Sequence, residues 1–317
     1  TIDVDLENGH VRKLSNNELS STRNEMQWYI PHHPVLNPHK PEKVRRVCNA
    51  AAKYQGVSLN DMLLTGPDLL QSLIGIIFRF REHEIALSAD IEAMFMQVEA
   101  LPADAKSLRF LWKGENENVE VYEYTRHIFG AKSSPTCANY CLHQTARDKE
   151  SEDSAIRKLI FRNFYMDDFL KSVKTAEEAQ FIYDNLKCTM LKGGFKLTKW
   201  VSNDEKVNDH FPEEDRSTKA VKTFEAEPMS SSILGLNWNV DKDILEVCRG
   251  ADKPVPNKIT QRVVLSAVSA VFDPLGICSP FTIRMRLLHG QQNDKPGMNH
   301  CPMNFVNLSS SGVKNYN

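Results

Sequence analysis

The sequence predicts an α+β fold built on antiparallel strands, and three observations carry that prediction. Leu108 to Trp112 and Val119 to Tyr124 are apolar runs on either side of the polar stretch Gly114-Glu115-Asn116-Glu117-Asn118, the pattern of a hairpin. Leu69, Leu70, Leu73, Ile76, Ile77 and Phe80 recur at helical spacing. Phe164-Tyr165-Met166-Asp167-Asp168-Phe169-Leu170 sets two adjacent acids between apolar flanks, Ile156 to Phe164 before and Phe169, Leu170 and Val173 after, which read as buried strands joined by a tight turn.

The remaining elements follow in chain order. Thr1 to Glu25 is polar and patterns weakly. Trp28-Tyr29-Ile30 starts a strand that Pro31 ends, and four prolines from Pro31 to Pro41 impose extended or turn structure. Lys43 to Ala52 alternates as a strand carrying Arg45 and Arg46. Gly66-Pro67-Asp68 opens the first long helix, with Pro in its first turn and Asp68 at its positive end. Ile85 to Asp90 is a short strand that closes on an acid. Ser134 caps a helix with Pro135 in its first turn. Thr175-Ala176-Glu177-Glu178 is a capping box for a helix that runs to Gly193-Gly194, and Phe195 to Val201 returns as a strand. Ser232 to Val240 and Ile244 to Cys248 form a hairpin turned at Asp241-Lys242-Asp243. Val263, Val264, Ala267, Val268 and Val271 mark a helix over Thr260 to Val271, broken by Phe272-Asp273-Pro274-Leu275-Gly276. Beyond Leu288 the chain turns Gln-, Asn-, Ser- and Gly-rich, and little order is expected.

At 317 residues, a quarter of them charged, the chain has room for one large or two ordinary soluble domains. The formal net charge of −2 excludes a globally basic footprint. The charges are segregated, however. Lys40, Lys43, Arg45, Arg46 and Lys53 form a basic cluster, and Asp204 to Glu227 is mostly acidic, so a basic cleft is compatible with a neutral whole. The longest apolar stretch, Leu69 to Phe80, is interrupted by Gln71, Ser72 and Arg79, and no membrane partner is expected. Seven scattered cysteines without a CxxC pair point to a reducing, intracellular compartment. Cys137 and Cys141, one helical turn apart, fit core packing, and His32, His33 and His39 lack zinc-site spacing. The chain begins with Thr and has no signal peptide, so it reads as a piece of something longer.

The acids carry the chemistry. Two unpaired carboxylates cannot be buried cheaply, so Asp167 and Asp168 must be solvated, paired with bases or neutralised by cations. A polar hairpin tip would satisfy the first condition. Asp90 points further, because it is a second acid closing an apolar strand far upstream. If the two strands pair in one antiparallel sheet, the acids meet at its edge. Carboxylate oxygens alone suit hard cations such as Mg²⁺. Two such ions roughly 3.5–4 Å apart clamp an in-line phosphoryl displacement. Lys43, Arg45 and Arg46 are then available to a triphosphate.

With these residues in view the chain resembles the reverse transcriptase of LTR retrotransposons, and within them the Bel/Pao group, from about Trp28 to Leu288. Leu87-Ser88-Ala89-Asp90-Ile91-Glu92-Ala93-Met94-Phe95 is similar to the first palm motif. Ile128-Phe129-Gly130-Ala131-Lys132-Ser133-Ser134-Pro135 is similar to the turn that leads into the palm helix, and Tyr165-Met166-Asp167-Asp168 to the YxDD hairpin. Gly194-Phe195 with Lys199, and Leu234-Gly235-Leu236, resemble two later motifs. Phe272-Asp273-Pro274-Leu275-Gly276 resembles a segment that follows the polymerase core in this group.

The resemblance implies a right-hand polymerase of fingers and palm with a partial thumb. Residues 1–27 would be a polar N-terminal segment, 28–86 fingers, and 87–231 palm, with a fingers hairpin at 107–125. Residues 232–250 would be a primer-grip-like hairpin, 251–288 a partial thumb or connection, and 289–317 an aberrant or disordered tail. It implies an RNA-directed DNA polymerase, a nucleotidyltransferase that uses two Mg²⁺ ions, with Mn²⁺ as a substitute. Its partners would be a primed RNA or DNA template and dNTPs, in the cytoplasm or in virus-like particles. Asp90 and Asp167, with the Ile91 backbone, would ligate metal, and Asp168 would assist. Lys43 and Arg45 would contact the triphosphate, and Arg46 would be solvated or touch template phosphate. Phe95 would exclude a ribose 2′-OH, unless it is an ordinary core Phe. Phe129 and Gly130 would admit the nucleotide close to the backbone, and Tyr165 and Met166 would line the site. Lys199 would donate a proton to pyrophosphate or stand as a surface lysine. Leu234 and Gly235 would contact the primer, and Trp238 would join them or pack in the core. No Asp-Thr-Gly or Asp-Ser-Gly stretch, zinc knuckle, RNase H or integrase pattern accompanies these motifs. Two other readings of the same acids stand beside this one: a catalytically dead retroelement remnant that only binds nucleic acid or a protein, and a metal hydrolase.

Overall fold

The computed structural model describes residues 2–22, 26–37, 40–114, 118–217, 230–247, 260–284 and 287. The expected tail beyond Leu288 lies outside them. The chain divides into two compact units, residues 1–221 and 222–317.

The first unit is organised on a four-stranded antiparallel sheet in the order Leu197–Ser202, Ile85–Ile91, Asp168–Val173, Phe164–Tyr165. Ala86, Leu87, Ala89 and Ile91 on the second strand are buried, as are Phe169, Leu170 and Val173 on the third. The helices Ser134–Lys149, Ala155–Asn163 and Ala176–Lys192 share one apolar core with the sheet. Leu142, Ala146, Ile160, Leu186 and Met190 come from the helices and meet Leu87, Phe169 and Trp200. Burial of that kind contributes about 1.5–3 kcal/mol for each large side chain.

Several expected elements take another form. The stretch Ile156 to Phe164, expected as a strand, is instead the helix Ala155–Asn163 followed by the two-residue strand Phe164–Tyr165. The Ser154 side chain caps this helix by accepting from Ile156 N and Arg157 N. Ile156, Ile160 and Asn163 are buried at helical spacing, while Lys158 and Arg162 between them stay exposed, an arrangement a doubly covered strand cannot offer. Asn163 Nδ2 then donates to Leu170 O at 2.8 Å and ties the helix end to the sheet.

Gly66-Pro67-Asp68 opens no helix. Asp68 Oδ1 accepts from Leu70 N in a local turn, and the helix is Leu73–Phe80, capped by Ser72 onto Gly75 N. Ser134 lies in the first turn rather than at the cap, which is Ser133 and makes no side-chain bond. Thr175 caps its helix through Glu178 N, but the Glu178 carboxylate accepts from Lys174 N, one residue before the cap, so the box is half made. Trp28-Tyr29-Ile30 forms a single bridge, Tyr29 to Arg109, instead of a strand.

The polar N-terminus is part of a second sheet, in the order Val11–Lys13, Val119–Tyr124, Arg109–Lys113. Its sequence signal is weak because, among its described residues, only Ile2, Val11 and Leu14 are buried and ion pairs supply much of the docking. Arg109 and Glu123 are both 1% exposed, and Arg109 Nε donates to Glu123 Oε2 at 2.9 Å. Arg12 Nη2 donates to the other oxygen of Glu123 at 2.7 Å, and Arg109 Nη1 donates to Thr22 and Gln27. The ribbon His32–Asn37 with Lys40–Cys48 lies beside this sheet through Arg46. The Arg46 guanidinium stands over Phe110 at 4.4 Å and Tyr124 at 5.1 Å and donates to Asp5 Oδ2 at 2.6 Å. Arg46 is therefore not a solvated side chain. It cross-links the N-terminal helix Ile2–Glu7 to the ribbon.

In the second unit, the expected single strand Ser232 to Val240 is broken at Leu234-Gly235. Ser230–Ile233, Leu236–Asn239 and Ile244–Glu246 form a three-stranded meander, and the helix Gln261–Ser269 follows, capped by Thr260. Trp238 is fully buried and donates Nε1–H to Asp243 Oδ1 at 2.9 Å, so it is a core residue of this unit.

Removing one partner of the buried Arg109–Glu123 pair leaves an uncompensated charge. Glu123→Ala is expected to lower unfolding free energy by about 3–5 kcal/mol, read from urea denaturation. A loss below about 1 kcal/mol would show that the network carries no such weight.

Candidate active site

The sheet brings the distant acids together. In the antiparallel register Asp168 lies opposite Asp90, and Ile91 N donates to Asp167 O at 2.8 Å. Asp168 also pairs with Tyr165 across a two-residue turn, Met166-Asp167. Met166 occupies the left-handed region at φ +53°, held there as its sulfur accepts from Asn139 Nδ2 at 3.4 Å. The acids stand at the ends of the two central strands, not on an edge strand of the sheet, so the order Leu197–Ser202, Ile85–Ile91, Asp168–Val173, Phe164–Tyr165 brackets them on both sides.

Burial pushes the Asp167 carboxyl above the usual range, and the negative charge of Asp90 pushes the same way; its own backbone N–H and the Lys199 ammonium oppose them. Lys199 is 64% exposed, and its Nζ pairs with Asp90 Oδ2. It reaches that position from a strand irregularity between Thr198 and Val201, with φ +56°. Lys199 is thus an exposed lysine whose ammonium reaches Asp90.

Phe95 sits in the 3-10 turn Met94–Gln97, entered through Ala93 at φ +48°. It is buried, and its ring meets Phe129 edge to face at 4.6 Å. Phe129 itself is half exposed. Gly130 has φ +98°, and a Cβ there would stand 2.8 Å from the Cys48 carbonyl oxygen, so the position requires glycine twice over. Arg45 is exposed on the ribbon, opposite Val35, while the Lys43 side chain lies outside the described residues. Leu234 and Gly235 belong to the second unit, where they form a two-residue turn with φ +49° and +83°. A Cβ on Gly235 would meet the Phe272 ring at 2.8 Å.

Two contributors escaped the sequence. Asn60 grips the turn after Gly130, and Asn139 holds Met166. Each is a lone amide with no local pattern, so only the fold reveals it.

Among the described residues no three His, Cys, Asp or Glu side chains form a cluster that would hold an ion unaided. Asp90 and Asp167 offer hard oxygen donors and an excess of negative charge that disfavours ionisation of Asp167, and both features fit Mg²⁺. Mg²⁺ is commonly held by one or two carboxylates together with substrate phosphates.

A sheet with acids at the ends of two adjacent central strands, backed by helices and joined to a smaller sheet and ribbon, is the architecture of a polymerase palm and fingers. Residues 41–205, more than half of the chain, match the family model described as reverse transcriptase (RNA-dependent DNA polymerase), and the chain belongs to that family. The fold is similar to solved structures of the foamy viral protease-reverse transcriptase. With the form in complex with dsDNA the TM-score is 0.58 at 16% identity, covering 95% of this chain and 52% of that one. With the form in complex with RNA/DNA hybrid it is 0.57 at 14% identity, covering 96% and 34%. The chain thus spans about half or less of those proteins. No curated protein sequence matches it.

An acid whose pKa is raised by folding keeps its proton in the native state at a pH where the unfolded chain releases it. Its contribution to stability is present below the unfolded Asp value, about 3.9, and is lost as pH rises through the folded value. Asp167→Asn is therefore expected to be more stable than wild type at pH 7, with the gap closing in acid. Urea midpoints at the two pH values check this, and equal midpoints at pH 7 would refute it.

Proposed function

We propose that this chain is the polymerase core of an LTR-retrotransposon reverse transcriptase of the Bel/Pao group, extending a primer on an RNA or DNA template with dNTPs. The observation that carries the reading is that Asp90, near the end of one central strand, lies opposite Asp168 at the start of its antiparallel neighbour, with Asp167 in the turn beside them. The Bel/Pao assignment rests on Phe272-Asp273-Pro274-Leu275-Gly276.

Asp90 and Asp167 would hold the ions, with the Ile91 backbone beside them and Asp168 adding charge. Two Mg²⁺ ions, or Mn²⁺ in their place, supply a lowered pKa at the primer 3′-OH and charge to offset the leaving pyrophosphate. Lys199 would leave Asp90 as cations arrive and present its ammonium proton to the pyrophosphate. Phe95, fixed by Phe129, would close the space a ribose 2′-OH needs. Gly130 would let the nucleotide approach the backbone, and Arg45 with Lys43 would meet the triphosphate as charged donors. Tyr165 and Met166 would line the substrate site, and Leu234-Gly235 would contact the primer. Hybrid recognition would rest on phosphate and sugar contacts, so affinity would fall with salt. The foamy viral relatives were solved with dsDNA and with RNA/DNA hybrid, which supports such a partner. The cytoplasm or a virus-like particle is the proposed location.

Primer extension on poly-rA/oligo-dT with Mg²⁺ tests this. Wild type is expected to incorporate dTTP and Asp167→Asn to lose about 10³-fold or more. Hybrid binding without incorporation by either protein would favour the remnant reading. Phe95→Val is expected to raise ribonucleotide use relative to dNTP by about 10²-fold. An unchanged ratio would return Phe95 to the core.

A further inference from the structure

We infer that Asn60 is a positioning residue for nucleotide binding, acting through the Phe129-Gly130 turn. This rests on the polymerase reading above. Asn60 Nδ2 donates to Gly130 O at 2.9 Å, and Asn60 Oδ1 accepts from Lys132 N at 2.9 Å. One amide side chain thus grips the turn at two backbone groups on either side of Ala131. The pairing mimics a strand ladder, and it crosses 70 positions of sequence to Gly130.

The main chain that presents Asn60 is built separately. Ser58 and Asp61 form a reciprocal capping box around the short helix Leu59–Met62, and Asn60 N donates to Ala50 O at 3.0 Å. Changes at the Asn60 side chain therefore leave its own platform in place. The gripped turn is confined on its other side by the Cys48 carbonyl, which abuts Gly130. Phe129, the residue before Gly130, carries the ring that meets Phe95. The amide therefore sets the turn, the turn sets Phe129, and Phe129 buttresses Phe95. A half-buried Asn whose two polar ends are both spent on one backbone turn contributes geometry rather than core.

Two substitutions separate this role from general stability. Asn60→Ala removes both bonds. Asn60→Asp is nearly isosteric and keeps the acceptor for Lys132 N, but it sets a carboxylate oxygen against Gly130 O. In steady-state extension with Mg²⁺, both variants are expected to raise KM for dTTP about tenfold with kcat within about twofold. Preference for dNTP over rNTP is expected to fall by about tenfold in both. Amide exchange over residues 127–134 should quicken while that over 106–113 holds. Active wild type with Asn60→Asp at wild-type KM and preference would overturn the positioning role and leave the polymerase reading intact. Absence of extension by wild type would instead sink the polymerase reading, and the nucleotide role with it.

Discussion

Everything at the candidate site depends on the pairing of Ile85–Ile91 with Asp168–Val173. Six residue pairs in antiparallel register set Asp168 opposite Asp90, and Ile91 N closes onto Asp167 O just past the last pair. A slip of one residue would reverse the faces of every side chain on one strand. The buried residues on both strands forbid that slip, because Leu87, Ala89, Phe169 and Val173 would leave the shared core. The hydrophobic effect thus fixes the position of a charged pair that it cannot itself favour.

The cost of that arrangement is visible in the backbone. Ala93, Met166 and Lys199 all adopt left-handed φ values near the acids, in segments that carry the residues of the proposed chemistry. Such conformations persist where the surroundings over-determine them. Here those surroundings are specific: Asn139 on Met166, Asp90 on Lys199, and the burial of Met94 and Phe95 after Ala93. Burial, and after it the charge of Asp90, pushes the Asp167 carboxyl up, while Lys199 pulls it back.

The smaller sheet and the ribbon follow a different rule. Arg12 with Glu123, and Arg46 with Asp5, join the N-terminal segment to the rest through ion pairs beside the small apolar contacts of Ile2 and Val11. Arg46 turns inward onto Phe110 and Tyr124 while its neighbour Arg45 stays exposed, so two adjacent arginines have opposite duties.

The sequence by itself determined the α+β class, the hairpin at Arg109–Lys113 and Val119–Tyr124, the acid-bearing strand Ile85–Ile91 and the turn at Met166-Asp167, because periodicity and turn chemistry are local properties. It misassigned Ile156 to Phe164, where an apolar run interrupted by basic residues satisfies strand and helix alike until the cap at Ser154 and the core decide. It also missed the grip of Asn60 and the inward turn of Arg46. Only the tertiary structure decided which acids meet, what Lys199 touches and what holds the Gly130 turn. Those contacts join residues far apart in the chain, and no local pattern records a partner that folding brings near.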